Sequence, residues 1–206
     1  MNNLLRGVVL AALSLVFLMP ATAAADEGER DFYVVVKGGP YFPTATNAFT
    51  ALGESFKWPA AYTIEGGVGA YWGLFGLQLS AGYLTSGTTS TTGTVTAQTG
   101  VNAVPILLLA RIRLPLGFIA PYAEGGAGVA IATSSFENLS STQAGFEAVG
   151  GGGVDLYFGP LLVGAELRFM WLNPSFNFSG VNNVGSFTQS LNLSGITVEA
   201  YVGYRF

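Results

Sequence analysis

The chain contains no cysteine and no histidine. Without cysteine there is no disulfide framework, no thiolate nucleophile or metal site, and no residue to carry a lipoprotein anchor. Without histidine, the side chain that most readily serves as a general base near neutral pH is missing. A hydrolase would then need a Ser–Lys or carboxylate pair. Lys37 is the only lysine in a predicted strand, and the sequence sets no serine beside it. An enzyme is not expected, nor a cofactor or metal. Charge is scarce as well: Asp, Glu, Lys and Arg make up 10% of the chain, against roughly 25% in typical soluble domains. The net charge of −4 comes with no basic run, which excludes a nucleic-acid partner needing a face to neutralise phosphates.

Long apolar runs are also missing once the first 25 residues are set aside. The longest clean stretch, Ala103 to Ala110, is of strand length, whereas a membrane-spanning helix needs about 20 apolar residues. Yet half of the residues are hydrophobic and 29 are glycine, with no collagen period. An apolar, glycine-rich, charge-poor chain without spanning helices can live in a bilayer only as a closed β-barrel, because helices and barrels alone satisfy every backbone group there.

Residues 1–25 read as a signal peptide. Arg6 supplies the positive start, Gly7 to Met19 an apolar core of 13 residues, and Pro20 the break. Cleavage is expected after Ala23 or after Ala25, leaving 26–206 as one barrel domain. The core is too short for a retained anchor.

The remainder divides into eight stretches of period-two alternation, at 32–43, 59–72, 76–85, 101–114, 118–132, 145–157, 161–172 and 188–206. Three connections are tight, at Gly73 to Gly76, Pro115 to Gly117 and Phe158 to Pro160. The other four are long and polar, the asymmetry of short periplasmic turns and longer extracellular loops. Successive strand residues point to opposite faces. In each strand the charges share one parity: Lys37, Glu65, Arg111, Arg113, Glu124, Glu147, Asp155, Glu166, Arg168, Glu199 and Arg205. The other charges fall in the lead from Asp26 to Asp31 or in loops (Glu54, Lys57, Glu137). A Lys or Arg on the lipid face near the midplane costs about 2–4 kcal/mol, which accounts for the clean face. Outward aromatics form two groups, Phe32, Trp72, Phe75, Phe158, Tyr204 and Phe206 near one end, Phe42, Tyr62, Tyr83, Phe146 and Trp171 near the other. A soluble sandwich would turn its apolar face inward; the leader and the apolar content select the membrane. The fold expected is all-β, an eight-stranded antiparallel transmembrane up-and-down barrel.

Four stretches resemble the outer-membrane protein β-barrel domain family, the OmpA/OmpX/Opacity type of small barrel. They are Phe32 to Pro43, the hairpin Val104 to Arg113 with Ala120 to Gly128, the pair Val154-Asp155, and Tyr204-Arg205-Phe206. The resemblance implies the outer membrane of a Gram-negative bacterium. It implies lipid and lipopolysaccharide as surroundings, and a C-terminal signal at Tyr204 and Phe206 for the barrel-insertion machinery. No periplasmic module is expected after Phe206, and the barrel is expected to be a monomer.

An eight-stranded barrel has an interior that side chains fill. Its inward charges, five basic and six acidic, are expected to pair across it as an ionic plug of Lys37, Glu65, Arg111, Arg113, Glu124, Asp155, Glu166, Arg168, Glu199 and Arg205. The alternative is a narrow path for small or hydrophobic solutes, with Gly67, Gly69, Gly126, Gly128 and Gly203 leaving space. The phrases Glu65 to Ala70 and Glu124 to Val129 imitate a phosphate loop, but no helix follows either. Their glycines, with Gly150 to Gly153, are expected to relieve crowding where strands bend or to make room for the inward carboxylates. In the loops, Thr85 to Gly100 is uncharged and Ser/Thr-rich, either an adhesive surface, a solvated loop or an extension of the hairpin above the membrane. Phe49, Phe56, Trp58, Phe176, Phe178 and Phe187 offer a hydrophobic mouth, and the sequons at Asn138, Asn177 and Asn192 read as chance. The role expected is structural or surface interaction, with an extracellular partner the sequence does not specify.

Overall fold

In the computed structural model, residues 30–44, 46–49, 54–57, 60–92, 95–136, 139–178 and 187–206 are described; the expected leader and its cleavage sites, with Trp58, Glu137 and Asn138, lie outside them. Among the described residues there are twelve strands and no helix. They are β1 (Arg30–Pro43), β2 (Thr46–Phe49), β3 (Glu54–Lys57), β4 (Ala61–Trp72), β5 (Phe75–Thr92) and β6 (Val95–Arg113), then β7 (Ile119–Phe136), β8 (Leu139–Phe158), β9 (Leu161–Leu172), β10 (Ser175–Phe178), β11 (Phe187–Ser190) and β12 (Gly195–Arg205). Eight close into an antiparallel barrel in the order β1-β12-β9-β8-β7-β6-β5-β4, while β2–β3 and β10–β11 are separate two-stranded hairpins. The first strand meets the last from Tyr33 opposite Arg205 to Pro43 opposite Gly195.

The tight turns follow from their glycines. Trp72 pairs with Phe75 and Phe158 with Leu161, so two residues make each turn. Gly73 and Gly159 open these turns at φ +62° and +63°, a left-handed conformation that only glycine adopts without strain.

Strand boundaries depart from the sequence reading on the extracellular side. β5 and β6 stay paired out to Thr92 and Val95, and β7 and β8 to Phe136 and Leu139. The stretch from Thr85 to Gly100 is therefore mostly a continuing hairpin. Ser and Thr are β-formers that are polar on both faces, so alternation fades there while pairing continues. In contrast, the last strand begins at Gly195 rather than at 188, and the segment before it folds differently. Leu191 N–H donates to Pro174 O (3.0 Å), Leu193 N–H to Leu172 O (2.8 Å), and Ser194 N–H to the Asn192 side chain (2.9 Å).

The parity of the faces holds around the barrel. Val36, Ile64, Leu79, Leu108, Leu167, Val198 and Val202 are all exposed on the outer wall, and the inward charges are buried except Arg205, which is partly exposed at the mouth. Phe32 and Phe42 lie ten residues apart on one face of β1. At about 3.4 Å per residue and a tilt near 40°, that spacing corresponds to an apolar band of about 25 Å.

Inside, glycines sit opposite tyrosines. Tyr33 faces Gly69, Tyr71 faces Gly76, Tyr201 faces Gly164 and Tyr122 faces Gly153 across neighbouring strands. A Cβ at Gly69, Gly76 or Gly164 would lie within 2.6 Å of the ring opposite. These glycines make room for aromatic rings laid along the wall, more than for the carboxylates expected there.

Candidate functional site in the barrel lumen

The lumen has three levels, set by how far along each strand the inward residue stands. At the centre, seven charged side chains from six strands converge, all buried. Arg168 on β9 is the hub. Its Nε lies 2.9 Å from Glu124, Nη1 2.9 Å from Glu65 and Nη2 2.5 Å from Glu166, with Glu199 at 3.9 Å. Lys37 Nζ bridges Glu65 and Glu166 at 2.9 Å each. Arg111 Nε donates to Glu124 (2.8 Å), its Nη2 stands 3.4 Å from Glu166, and its guanidinium covers the Tyr122 ring at 4.5 Å. Tyr122 O–H donates to Glu166 (2.8 Å). Charge-assisted bonds of this geometry are the strong ones, and desolvated ions need such pairing to be tolerated.

The remaining expected members do not join this network. Arg113 points to the periplasmic mouth. Its Nη2 lies 2.7 Å from Asp31, Nη1 donates to Tyr157 O–H (3.2 Å), Nε to Gly73 O (3.2 Å), and its plane covers Tyr71 at 3.9 Å. Arg205 stands 3.7 Å from the same Asp31 and over Tyr157 at 4.4 Å. Asp31, read from sequence as part of the lead, is thus a working member of β1. Asp155 faces tyrosines instead of cations, accepting from Tyr201 (2.5 Å), Tyr157 (3.0 Å) and Tyr71 (3.5 Å). The single expected network is divided because residues of one parity still differ in height. The inward tyrosines that bind both clusters were missed, although they share the parity of the charges in their strands.

Asp31 and Arg205 are partly open to water at the mouth, so exposed-pair energetics apply to Asp31. Asp31→Asn is expected to cost at most about 1 kcal/mol, read by urea titration of the refolded protein; a loss several times larger would show that the mouth cluster is coupled to the centre.

The extracellular level is apolar. Tyr41, Leu84, Ala103, Met170 and Leu172 line it, and Phe176, Leu191 and Leu193 fill it from the connection between β9 and β12. Phe176, expected in a hydrophobic mouth, is instead fully buried inside. The side chains of Phe49, Phe56, Asn177, Phe178 and Phe187 lie outside the described residues. Among the described residues no group of metal-ligating side chains converges.

A closed antiparallel barrel with an apolar outer wall, aromatic girdles and a charged interior defines a membrane-spanning β-barrel protein. The outer membrane protein beta-barrel domain family matches residues 9–206, and the chain belongs to that family, a set of Gram-negative outer-membrane proteins. No curated protein matches it. Among solved structures it is similar to the outer membrane protein OprG of Pseudomonas aeruginosa, at 15% identity and TM-score 0.64 over 87% of this chain and 97% of that one. The N-terminal β-barrel domain of Pseudomonas aeruginosa OprF is similar at 17% identity and TM-score 0.52, covering 87% and 100%. Neisserial surface protein A is similar at 16% identity and TM-score 0.52, covering 85% and 97%. At these identities the likeness is one of fold.

Proposed function

We propose that the chain is a small integral outer-membrane barrel with a structural or surface-interaction role, without enzymatic activity, whose lumen is closed by the central ionic network. The observation that carries this reading is Arg168, whose three nitrogens are each engaged by a different glutamate, Glu65 and Glu124 from other strands and Glu166 from its own. Side chains tied in this way fill the width available inside eight strands. Function then falls to the outer wall and the extracellular rim. The wall meets lipid and lipopolysaccharide through its aromatic girdles, and Tyr204 and Phe206 serve the insertion machinery as a monomer assembles. The paired extension of β5 to β8 rises past the end of β4, whose pairing with β5 stops at Tyr62 opposite Thr85. It is the surface offered to an extracellular partner.

Refolded protein in a planar bilayer is expected to remain silent, while Arg168→Ala with Glu166→Ala, which empties the centre, opens measurable conductance. Steady openings of the unaltered protein, with ion selectivity that changes on Arg111→Ala, would replace this reading with a narrow channel.

A further inference from the structure

One inward carboxylate belongs to neither cluster. Glu147 on β8 stands opposite Gly128 of β7 and Leu172 of β9, in the apolar extracellular level. It is 1% exposed, and its Oε2 has no hydrogen-bond partner. No ion pair among the described residues reaches it; the charged groups whose fields act on it are Glu65 and Arg168 below. Arg168 is committed to Glu65, Glu124 and Glu166. The central network also has no positive charge to spare, since Lys37, Arg111 and Arg168 already face Glu65, Glu124, Glu166 and Glu199. Among the described residues an ionised Glu147 is therefore an unmatched charge in a largely apolar enclosure, a costly arrangement that a cation would relieve.

The enclosure also specifies the rest of that cation. Its wall is mainly aliphatic and aromatic, with Tyr41, Leu84 and Met170, beside the buried Ser194 hydroxyl that accepts from Leu172 N–H (3.3 Å), and its roof is Phe176, Leu191 and Leu193. Those roof residues lie outside the barrel strands, held by backbone bonds to Pro174 and Leu172. An apolar ligand entering from outside exchanges contacts with them like for like. The floor is the ionic network, so a ligand that displaces these roof residues enters a cup and not a passage. We propose that this cup is a binding site for small hydrophobic ammonium ions, with Glu147 pairing the ammonium and the wall covering the hydrocarbon body. The proposal goes beyond the structural reading and does not depend on the lumen being closed to ions.

The test uses the full barrel refolded in phosphatidylcholine bicelles, with glutamate labelled at its carboxyl carbon. Hexylammonium chloride, 1-hexanol and hexanoate are titrated in turn. Hexylammonium is expected to shift the Glu147 carboxyl resonance saturably, binding about tenfold or more tightly than hexanol, with hexanoate weakest. Glu147→Gln is expected to bind hexylammonium and hexanol alike. Equal affinity of the unaltered protein for hexylammonium and hexanol would overturn charge recognition, a comparison that stands even if the variant fails to fold. Absence of any saturable shift would overturn the site, as would hexylammonium binding that survives Glu147→Gln unchanged.

Discussion

Arg168→Met is expected to remove about 3–5 kcal/mol from the unfolding free energy of the refolded barrel, the cost of breaking a buried ion pair by deleting one partner. The expectation rests on position. Arg168 holds Glu65, Glu124 and Glu166 from three different strands, and none of the four side chains reaches water. Methionine fills much of the same volume, so the loss reports the stranded carboxylates and not a void. Lys37 and Arg111 remain, but they already serve Glu65 and Glu124 at their other oxygens, and Lys37 shares Glu166 Oε1 with Arg168. Adding Glu65→Gln and Glu124→Gln to Arg168→Met should restore much of the loss, because neutral amides no longer require a counter-charge. Equilibrium unfolding in lipid vesicles measures both variants. A cost below about 1 kcal/mol for the single change, the range of an exposed pair, would mean that the network is not assembled in the folded protein.

The neighbouring residue gives the complementary result. Leu167→Arg is expected to cost about 2–4 kcal/mol, and Phe75→Arg only about 0–1 kcal/mol, by the depth dependence of cations on a barrel's lipid face. Leu167 is exposed on the outer wall midway along β9, between Val198 of β12 and Gly152 of β8. Phe75 lies at the periplasmic turn, where a guanidinium reaches the headgroups. Thus one residue of β9 requires a cation and the next excludes it, a reversal that follows from a period of two. Unfolding from phospholipid vesicles measures the pair. Equal, small costs at both depths would be the behaviour of a wall that faces water.

Much of this fold was legible in the sequence because charge is so rare in it. Eleven charges on one parity oriented the strands, and three glycine turns gave the hairpin phase. What parity cannot supply is height. Arg168 and Glu65 are 103 residues apart, and their meeting depends on the stagger between strands as the sheet closes on itself. The same ignorance of height merged Arg113, Arg205 and Asp155 with a network they do not touch. Asp31 was missed because one residue before Phe32 is too little alternation to extend a strand. The buried Phe176, Leu191 and Leu193 were missed for a different reason. They belong to a connection that folds back into the lumen, and nothing in a local pattern of apolar residues says that a loop turns inward.

The seam between β1 and β12 also bears on the order of events during synthesis. Arg30–Pro43 emerges early, yet one of its two partners, Gly195–Arg205, is made last. Until that strand arrives, one edge of β1 has every backbone group unmet, as does the free edge of β9. Such edges invite pairing with the wrong neighbour. The ring can therefore be completed only once Gly195–Arg205 has been made, and until then the barrel strands must be kept in an open, unclosed form.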